Sequence, residues 1–367
     1  MRSDLKRTVA ATFALLLWAS HAALAWAAEP SDSTSARGSE PGTDGFVKAL
    51  AWDGAGHLYL GGGFTSAGGV SANYIAMWDG SKWSALGTGL NGSVSALACD
   101  GKGNVYAGGF FSKAGDSSAS NVAKWDGTRW SAMGSGTVGP VRALVMAGDD
   151  VVIGGEFSEA GRVRVGHVAR WDGAKWSAIG TGTNGPIGAL AIARDGSVIA
   201  GGKFTKVGGD SASHVARWNG SRWSALGPGV GDIVSALAVD SAGDVVAVAT
   251  ARATQTSTIS TWNGKSWTPL PLGKGHVAAA IATGGKNELF AGGYFALAGD
   301  VRANNVARWD GAKWSPLGGG VNSWVYAFAR DGEGHLYACG GFSRAGGAPA
   351  RNVAMWDGTR WAPLAAH

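Results

Sequence analysis

From residue 46 onward the chain is a succession of short runs in which apolar or small residues take alternate positions, each closed by a turn rich in Gly, Asp or Asn. Alternation with period two marks half-buried strand, and no useful length carries the 3.6-residue period of a helix. Residues 94–133 show the unit. Val94-Ser95-Ala96-Leu97-Ala98 reads as a first strand, a, and Asp100-Gly101-Lys102-Gly103 turns into a second, b, Asn104-Val105-Tyr106-Ala107-Gly108-Gly109. A longer loop leads to strand c, Asn121-Val122-Ala123-Lys124-Trp125, and Asp126-Gly127 makes a hairpin into strand d, Trp130-Ser131-Ala132-Met133. Asp-Gly suits that hairpin because both residues tolerate positive φ.

The unit is repeated. A Trp followed by Asp or Asn and Gly stands at Trp78, Trp125, Trp171, Trp218, Trp262, Trp309 and Trp356, at intervals of 47, 46, 47, 44, 47 and 47 residues. Five positions after each comes a second: Trp83, Trp130, Trp176, Trp223, Trp267, Trp314 and Trp361. Repeats of this length with four strands each predict an all-β fold, a seven-bladed β-propeller of four-stranded antiparallel blades with no helical domain. The blades run approximately 46–91, 92–138, 139–184, 185–231, 232–274, 275–321 and 322–367. Blades crowd near the axis, and strand a carries small residues at alternate positions, such as Ala49 and Ala51, or Ala189 and Ala191. Further out they splay, and the paired tryptophans stand where the wedge must be filled to native density.

A double glycine closes strand b at Gly61-Gly62, Gly108-Gly109, Gly154-Gly155, Gly201-Gly202, Gly292-Gly293 and Gly340-Gly341. With the two aromatics around the c–d turn, it resembles the kelch-type propeller repeat. The fuller string, Ala-Gly-Gly then Asn-Val-Ala-x-Trp-Asp-Gly-x-x-Trp with Leu-Gly following, is similar to the repeats of the fungal cortical cell-polarity marker family. The resemblance covers roughly residues 46–364, implies the fold, and says little about activity. The first aromatic is Trp throughout, a departure from kelch. No Trp-bearing strand precedes residue 46, so no blade is shared between the chain ends and closure is expected from packing of blade 7 on blade 1.

Composition adds the setting. Gly at 62 and Trp at 18 are far above ordinary usage while charged residues are 16%, a globular composition rather than a disordered one. Arg2, Lys6 and Arg7 precede an apolar run from Val9 to Ala28, and Ala25-Trp26-Ala27 offers a signal-peptidase site. Residues 1–27 are therefore expected to be a signal peptide and 28–45 a flexible leader, which predicts a secreted (periplasmic or extracellular) protein without an integral membrane segment after cleavage. Retention of 1–27 as an anchor is the alternative. Losing that segment takes two charges from the formal +5 and leaves +3, too mild to suggest nucleic acid. Cys99 and Cys339 occupy different repeat positions in non-adjacent blades and read as small buried hydrophobes.

No hydrolase elbow, nucleotide loop or metal-ligand spacing is present, so no catalytic residue, metal or cofactor is expected. Antiparallel order puts the a–b and c–d turns on one face, with His57 and His335, and the longer b–c and d–a loops on the other. His167 and His214 share a loop-anchoring register with Asn121, Asn305 and Asn352. Positions that break the repeat are more informative. The residue preceding strand a reads Phe46, Ser93, Pro140, Pro186, Ile233, His276, Trp324 around the ring, and two residues on stand Lys48, Arg142 and Tyr326. Trp324, Tyr326, Phe46, His276, Lys48 and Arg142 are thus the candidate ligand-binding residues, at the mouth of the central channel on the long-loop face. Glu156 and Lys203, after the double glycines of blades 3 and 4, are secondary candidates, and a pair they form with each other is the bland account of them. The expected function is a secreted module that binds a protein or carbohydrate ligand. The alternatives are a multivalent lectin using the six similar b–c loops, or an enzyme with its site at the mouth. A channel plug is the bland reading of Trp324.

Overall fold

The paired tryptophans and double glycines find their reasons in how one four-stranded sheet meets the next. The computed structural model describes residues 41–365 except Arg252, Gln255, Lys274, Gly275 and Lys286. The assigned signal peptide and most of the assigned leader lie outside the described residues. Seven four-stranded sheets form, each antiparallel and each in chain order a-b-c-d. The first strands are Val47–Trp52, Val94–Cys99, Val141–Ala147, Ile187–Ile192, Ile233–Val239, Val277–Thr283 and Val325–Arg330. Successive first strands touch all the way round, the seventh against the first, so the ring is closed. This is the seven-bladed β-propeller the repeat predicts. Among the described residues no helix is long and apolar enough to cross a membrane.

The second Trp of each pair is the element that joins blades. The indole of Trp83, Trp130, Trp176, Trp223, Trp267, Trp314 and Trp361 donates to the carbonyl that ends strand d of the preceding blade, at 2.7–3.2 Å. For Trp83 that carbonyl belongs to Leu364, across the closure. The first Trp leans on the second with centroids 5.1–5.5 Å apart. In five blades its ring also covers a glycine just after strand d of the preceding blade: Gly87, Gly134, Gly180, Gly227 or Gly318. At Gly180, with φ +57°, a Cβ would stand 2.9 Å from Trp218.

Strand a is bulged in every blade, so that one residue is skipped in its pairing with strand b. The bulge draws the chain onto the second glycine, where a Cβ at Gly62 would lie 2.1 Å from the Phe46 carbonyl oxygen. The first glycine receives the next blade: a Cβ at Gly61 would meet Val94 at 2.4 Å. In blade 7 the register differs from the sequence alignment. Val325 pairs with Gly340 and Ala327 with Cys339, so Cys339-Gly340, not Gly340-Gly341, occupies the double-glycine site. Cys339 is buried and Cys99 half-buried, both as free thiols.

The b–c loops are folded elements. In six blades the loop opens with a buried Phe (Phe64, Phe111, Phe157, Phe204, Phe295, Phe342) and forms a two-stranded ribbon such as Lys113–Ala114 with Ser117–Ser118. Strand c is then entered through a left-handed residue, Tyr74, Asn121, His167, His214, Asn305 or Asn352, at φ 63–72°. Asn and His tolerate that region better than most side chains, which accounts for the loop-anchoring register. In blade 5 strands b (Val245–Thr250) and c (Ser257–Trp262) pair to their ends, and no ribbon forms among the described residues.

Residues 41–45, the described end of the expected leader, lie against blade 7. The Thr43 amide donates to Arg351 at 3.2 Å, the Arg351 amide to Pro41 at 3.0 Å, and the Asn352 side chain to the Thr43 carbonyl at 2.9 Å. Thr43 also bridges Ala67 as Leu90, Thr137 and Thr183 bridge the ribbons after them. Thr43 thus stands between blade 7 and blade 1 in the place that Leu90, Thr137 and Thr183 hold between other blades. Packing of blade 7 on blade 1 is as expected, with Trp52 stacked on Tyr337 at 5.8 Å.

Candidate functional site

A bulge re-aims a side chain, and here seven do so at one level of the innermost strands. The skipped residues are Lys48, Ser95, Arg142, Gly188, Ser235, Ala279 and Tyr326. Above them, on the face of the b–c and d–a loops, lie the residues before strand a and those after the double glycine. Four of the seven skipped residues are small, so Lys48, Arg142 and Tyr326 dominate the ring.

Blades 6 and 7 contribute an aromatic stack. Trp324 lies over Tyr326 at 6.0 Å and 22°, and on its other side over Tyr294 at 5.2 Å and 20°. Tyr294 is 55% exposed and Tyr326 half-buried, so the stack runs from the surface inward. Burial, with a smaller contribution from Cys339, raises the Tyr326 hydroxyl above its ordinary pKa. Tyr294 is a residue the sequence reading passes over, although it occupies the register that singles out Glu156 and Lys203. It also borders a cleft of about 440 Å³ between blades 6 and 7, together with Asn304, Asn305, Val321, Asn322 and Arg344.

Blade 1 places Lys48 against the ring of Phe46, 5.3 Å from its centroid. Removal from bulk water lowers the Lys48 pKa, and the positive charge of Arg142 lowers it further. Arg142 meets Glu156 through Nε at 2.9 Å and a terminal nitrogen at 2.8 Å. Glu156 therefore pairs within its own blade and not with Lys203. His276 is not in the mouth register: Val277 pairs with Tyr294 and Ala278 with Gly293, so Val277 corresponds to Phe46 and Trp324. The His276 ring instead lies edge-on to the buried Phe295 at 6.3 Å. Trp324 and Phe46 precede strand a, Lys48, Arg142 and Tyr326 are its bulged residues, and His276 holds neither position.

Large apolar side chains are exposed on this face only among the described residues. They are Phe46 (39%), Val70 (36%), Phe110 (70%), Val138 (65%), Tyr294 (55%) and Leu297 (40%), all in or beside b–c and d–a connections. The opposite face is built from self-capped turns. Asp53 accepts from the Ala55 and His57 amides and contacts the His57 ring at 2.6 Å, and Asp331 repeats this with Glu333 and His335. Asp331, Glu333 and His335 could gather ligand atoms within 4.8 Å. Ala55 replaces the glutamate in blade 1 without changing the Asp–His contact, so the contact is a turn staple.

A family model described as a domain of unknown function (DUF5122) beta-propeller matches residues 188–220. No curated protein matches the chain. Among solved structures, the WD40 beta propeller domain of Doa1 aligns with a TM-score of 0.58 at 12% identity, over 82% of this chain and 91% of that one. YCF48 bound to D1 peptide gives 0.55 at 13%, over 82% and 92%. Saccharomyces cerevisiae Sqt1 gives 0.54 at 11%, over 90% and 89%. The likeness is one of fold.

Proposed function

We propose that this propeller is a binding module without chemistry of its own, and that a polypeptide partner docks on the face of the b–c and d–a loops across the channel mouth. The observation that carries the reading is the one-sidedness of exposed apolar side chains. Contiguous exposed apolar surface on a soluble protein marks interaction sites, and here Phe46, Phe110 and Tyr294 stand at the mouth beside the Trp324 stack. The apolar arc covers blades 6, 7, 1 and 2, while Arg142, Glu156 and Lys203 make blades 3 and 4 the charged arc. Lys48, set against the Phe46 ring, favours a ligand with an acidic group near the axis. That YCF48, a propeller of similar fold, is solved with a peptide supports a polypeptide ligand.

A lectin reading has less support. Stacked at 5.2–6.0 Å, the aromatic rings cover one another and leave mainly the outer face of Tyr294 for a sugar. The kelch and polarity-marker resemblance rests on the sequence motifs, and export rests on Arg2, Lys6, Arg7 and the apolar run after them. Amino-terminal sequencing of the protein expressed with its full N-terminus tests export: a mature chain starting at residue 28 supports it.

Panning a random linear peptide library on the full chain, followed by calorimetry of enriched peptides, tests the function. The expected result is one site per chain, lost in Trp324→Ala and in Phe110→Ser. Several equivalent glycan sites on an array, with no peptide enriched, would overturn it.

A further inference from the structure

The loop from strand d of one blade to strand a of the next is normally finished by the next blade's ribbon. In blade 1, the Gly89 carbonyl accepts from the Gly115 amide at 2.8 Å, and the Asn91 amide donates to the Lys113 carbonyl at 3.2 Å. The acceptor half recurs at Gly42, Gly136, Gly182, Leu272 and Gly320, and the donor half at Asp44, Val138, Asn184 and Asn322. The side chains of Asp44, Asn91, Asn184 and Asn322 also accept ribbon amides. Between each pair of backbone bonds a bridge forms onto a small ribbon residue: Ala67, Ala114, Ala160, Val207 or Ala345.

The loop after blade 4 begins in the same way, with the Val230 amide donating to Ser213 as that of Leu90 does to Asn73. It then faces blade 5, which has no ribbon among the described residues. The Gly229 carbonyl and Gly231 amide hold the positions of Gly89 and Asn91, and neither has a hydrogen-bond partner among the described residues. Gly229 and Val230 are partly exposed, whereas Gly89 and Leu90, Gly136 and Thr137, Gly182 and Thr183, and Gly320 and Val321 are all buried. The same loop runs on into a shallow groove of about 330 Å³ lined by Ser211, Ser213, Gly227 and Pro228.

We propose that this gap is a pairing slot for a partner's backbone: an extended segment with Ala or Val followed by Gly fills it, donating to the Gly229 carbonyl and accepting from the Gly231 amide as the ribbons do in the other blades. Strand addition of this kind takes its affinity from main-chain bonds and its selectivity from side-chain pockets. Gly231 lacks the side-chain acceptor that Asn91, Asn184 and Asn322 offer the ribbons, so here the two backbone groups carry the pairing. The slot lies on the docking face proposed above, but it does not depend on the mouth.

The probe is a synthetic hairpin peptide with the sequence of residues 204–212, the blade 4 ribbon, added to the full chain and followed by amide hydrogen exchange. In the free protein Gly231 should exchange at least about 100-fold faster than Asn91 or Asn184, and the peptide should slow it with one peptide bound per chain. Trp324→Ala should bind it unchanged, which separates this slot from the mouth. The same peptide N-methylated at its Gly208 position, which removes the donor to Gly229, should not bind. Grafting the blade 4 ribbon in place of residues 251–256 should also abolish binding. Protection of Gly231 in the free protein, peptide binding that survives N-methylation, or protection that grows with protein concentration alone and so reports a second copy of this chain, would each overturn the proposal.

Discussion

Replacing Trp223 should show that the outer Trp of each pair, more than the inner, holds neighbouring blades together. Its side chain is 5% exposed, and its indole donates to the Ile179 carbonyl of the preceding blade at 2.7 Å. Trp223→Ala removes a core aromatic, which costs about 3–5 kcal/mol. It also leaves the Ile179 carbonyl facing a cavity, which adds about 1–3 kcal/mol unless water enters. Trp223→Phe keeps most of the ring and loses only the donor and part of the packing, so about 1–3 kcal/mol is expected. Trp218 is half-buried and has no indole bond to the preceding blade among the described residues, so Trp218→Ala should cost less than Trp223→Ala, about 2–4 kcal/mol. Urea unfolding followed by far-ultraviolet circular dichroism, with the slope checked for constancy across variants, gives the order. A Trp218→Ala loss equal to or greater than that of Trp223→Ala would refute the assignment of the inter-blade joint. A Trp223→Phe loss under about 0.5 kcal/mol, the range of ordinary surface changes, would refute the role of its hydrogen bond.

Three further outcomes follow from the same geometry. Removing residues up to Gly45 takes away the Thr43–Arg351 and Asn352–Thr43 bonds, and should lower the melting temperature by several degrees, while Asn352→Ala should give a smaller drop, read by calorimetry. Burial acts to raise the Asp331 carboxyl, but the His335 ring and amide and the Glu333 amide outweigh it and hold its pKa below the usual range. The stability it contributes is complete above about pH 4, the ordinary carboxyl value, and is lost as pH falls through the lowered folded one. Asp331→Asn should therefore flatten the acid limb of a stability-against-pH curve, and an unchanged limb would contradict the turn staple. Burial pushes the Cys99 thiol up to about 12 and raises Cys339 as well, so neither should react with a thiol reagent at neutral pH until the protein unfolds.

Seven copies of one unit make the architecture legible because each recurring residue answers the same demand seven times. Trp83 and its counterparts read as wedge filling, which they are, and their shared hydrogen bond is invisible only because its acceptor is a backbone carbonyl. The ribbons are less legible. Ser66-Ala67 and Val70-Ser71 are too short to show alternation, and Gly, Ser and Ala read as loop. At the mouth, Trp324, Tyr326, Phe46, Lys48 and Arg142 stand out because other blades carry small residues there. His276 is misplaced for a specific reason. A β-branched Val opens strand a in most blades, and aligning Val277 with Val47 shifts blade 6 by one. The structure instead puts Ala278 opposite Gly293, one residue before the bulge at Ala279. Glu156 finds Arg142 and not Lys203 because the two share a blade, a proximity that sequence spacing of 14 residues does not announce.

A repeat protein can depart from its consensus by adding or by omitting, and this chain does both on one face. Tyr294, Trp324, Tyr326, Phe46 and Lys48 are additions: the blades close without them, since Val325 and Ala327 already supply the pairing and packing of their strand. Blade 5 is an omission. Its paired b and c strands leave the Gly229 carbonyl and Gly231 amide without the ribbon that covers the same groups elsewhere. Open to solvent, those groups lose little while the face is free, but they become costly to bury against a partner that does not pair with them. The added rings therefore offer apolar contact to many polypeptides, whereas the omitted ribbon admits the ones whose backbone can take its place. A partner that lies across both would be selected by its extended, small-residue segment as much as by the side chains it presents to the mouth.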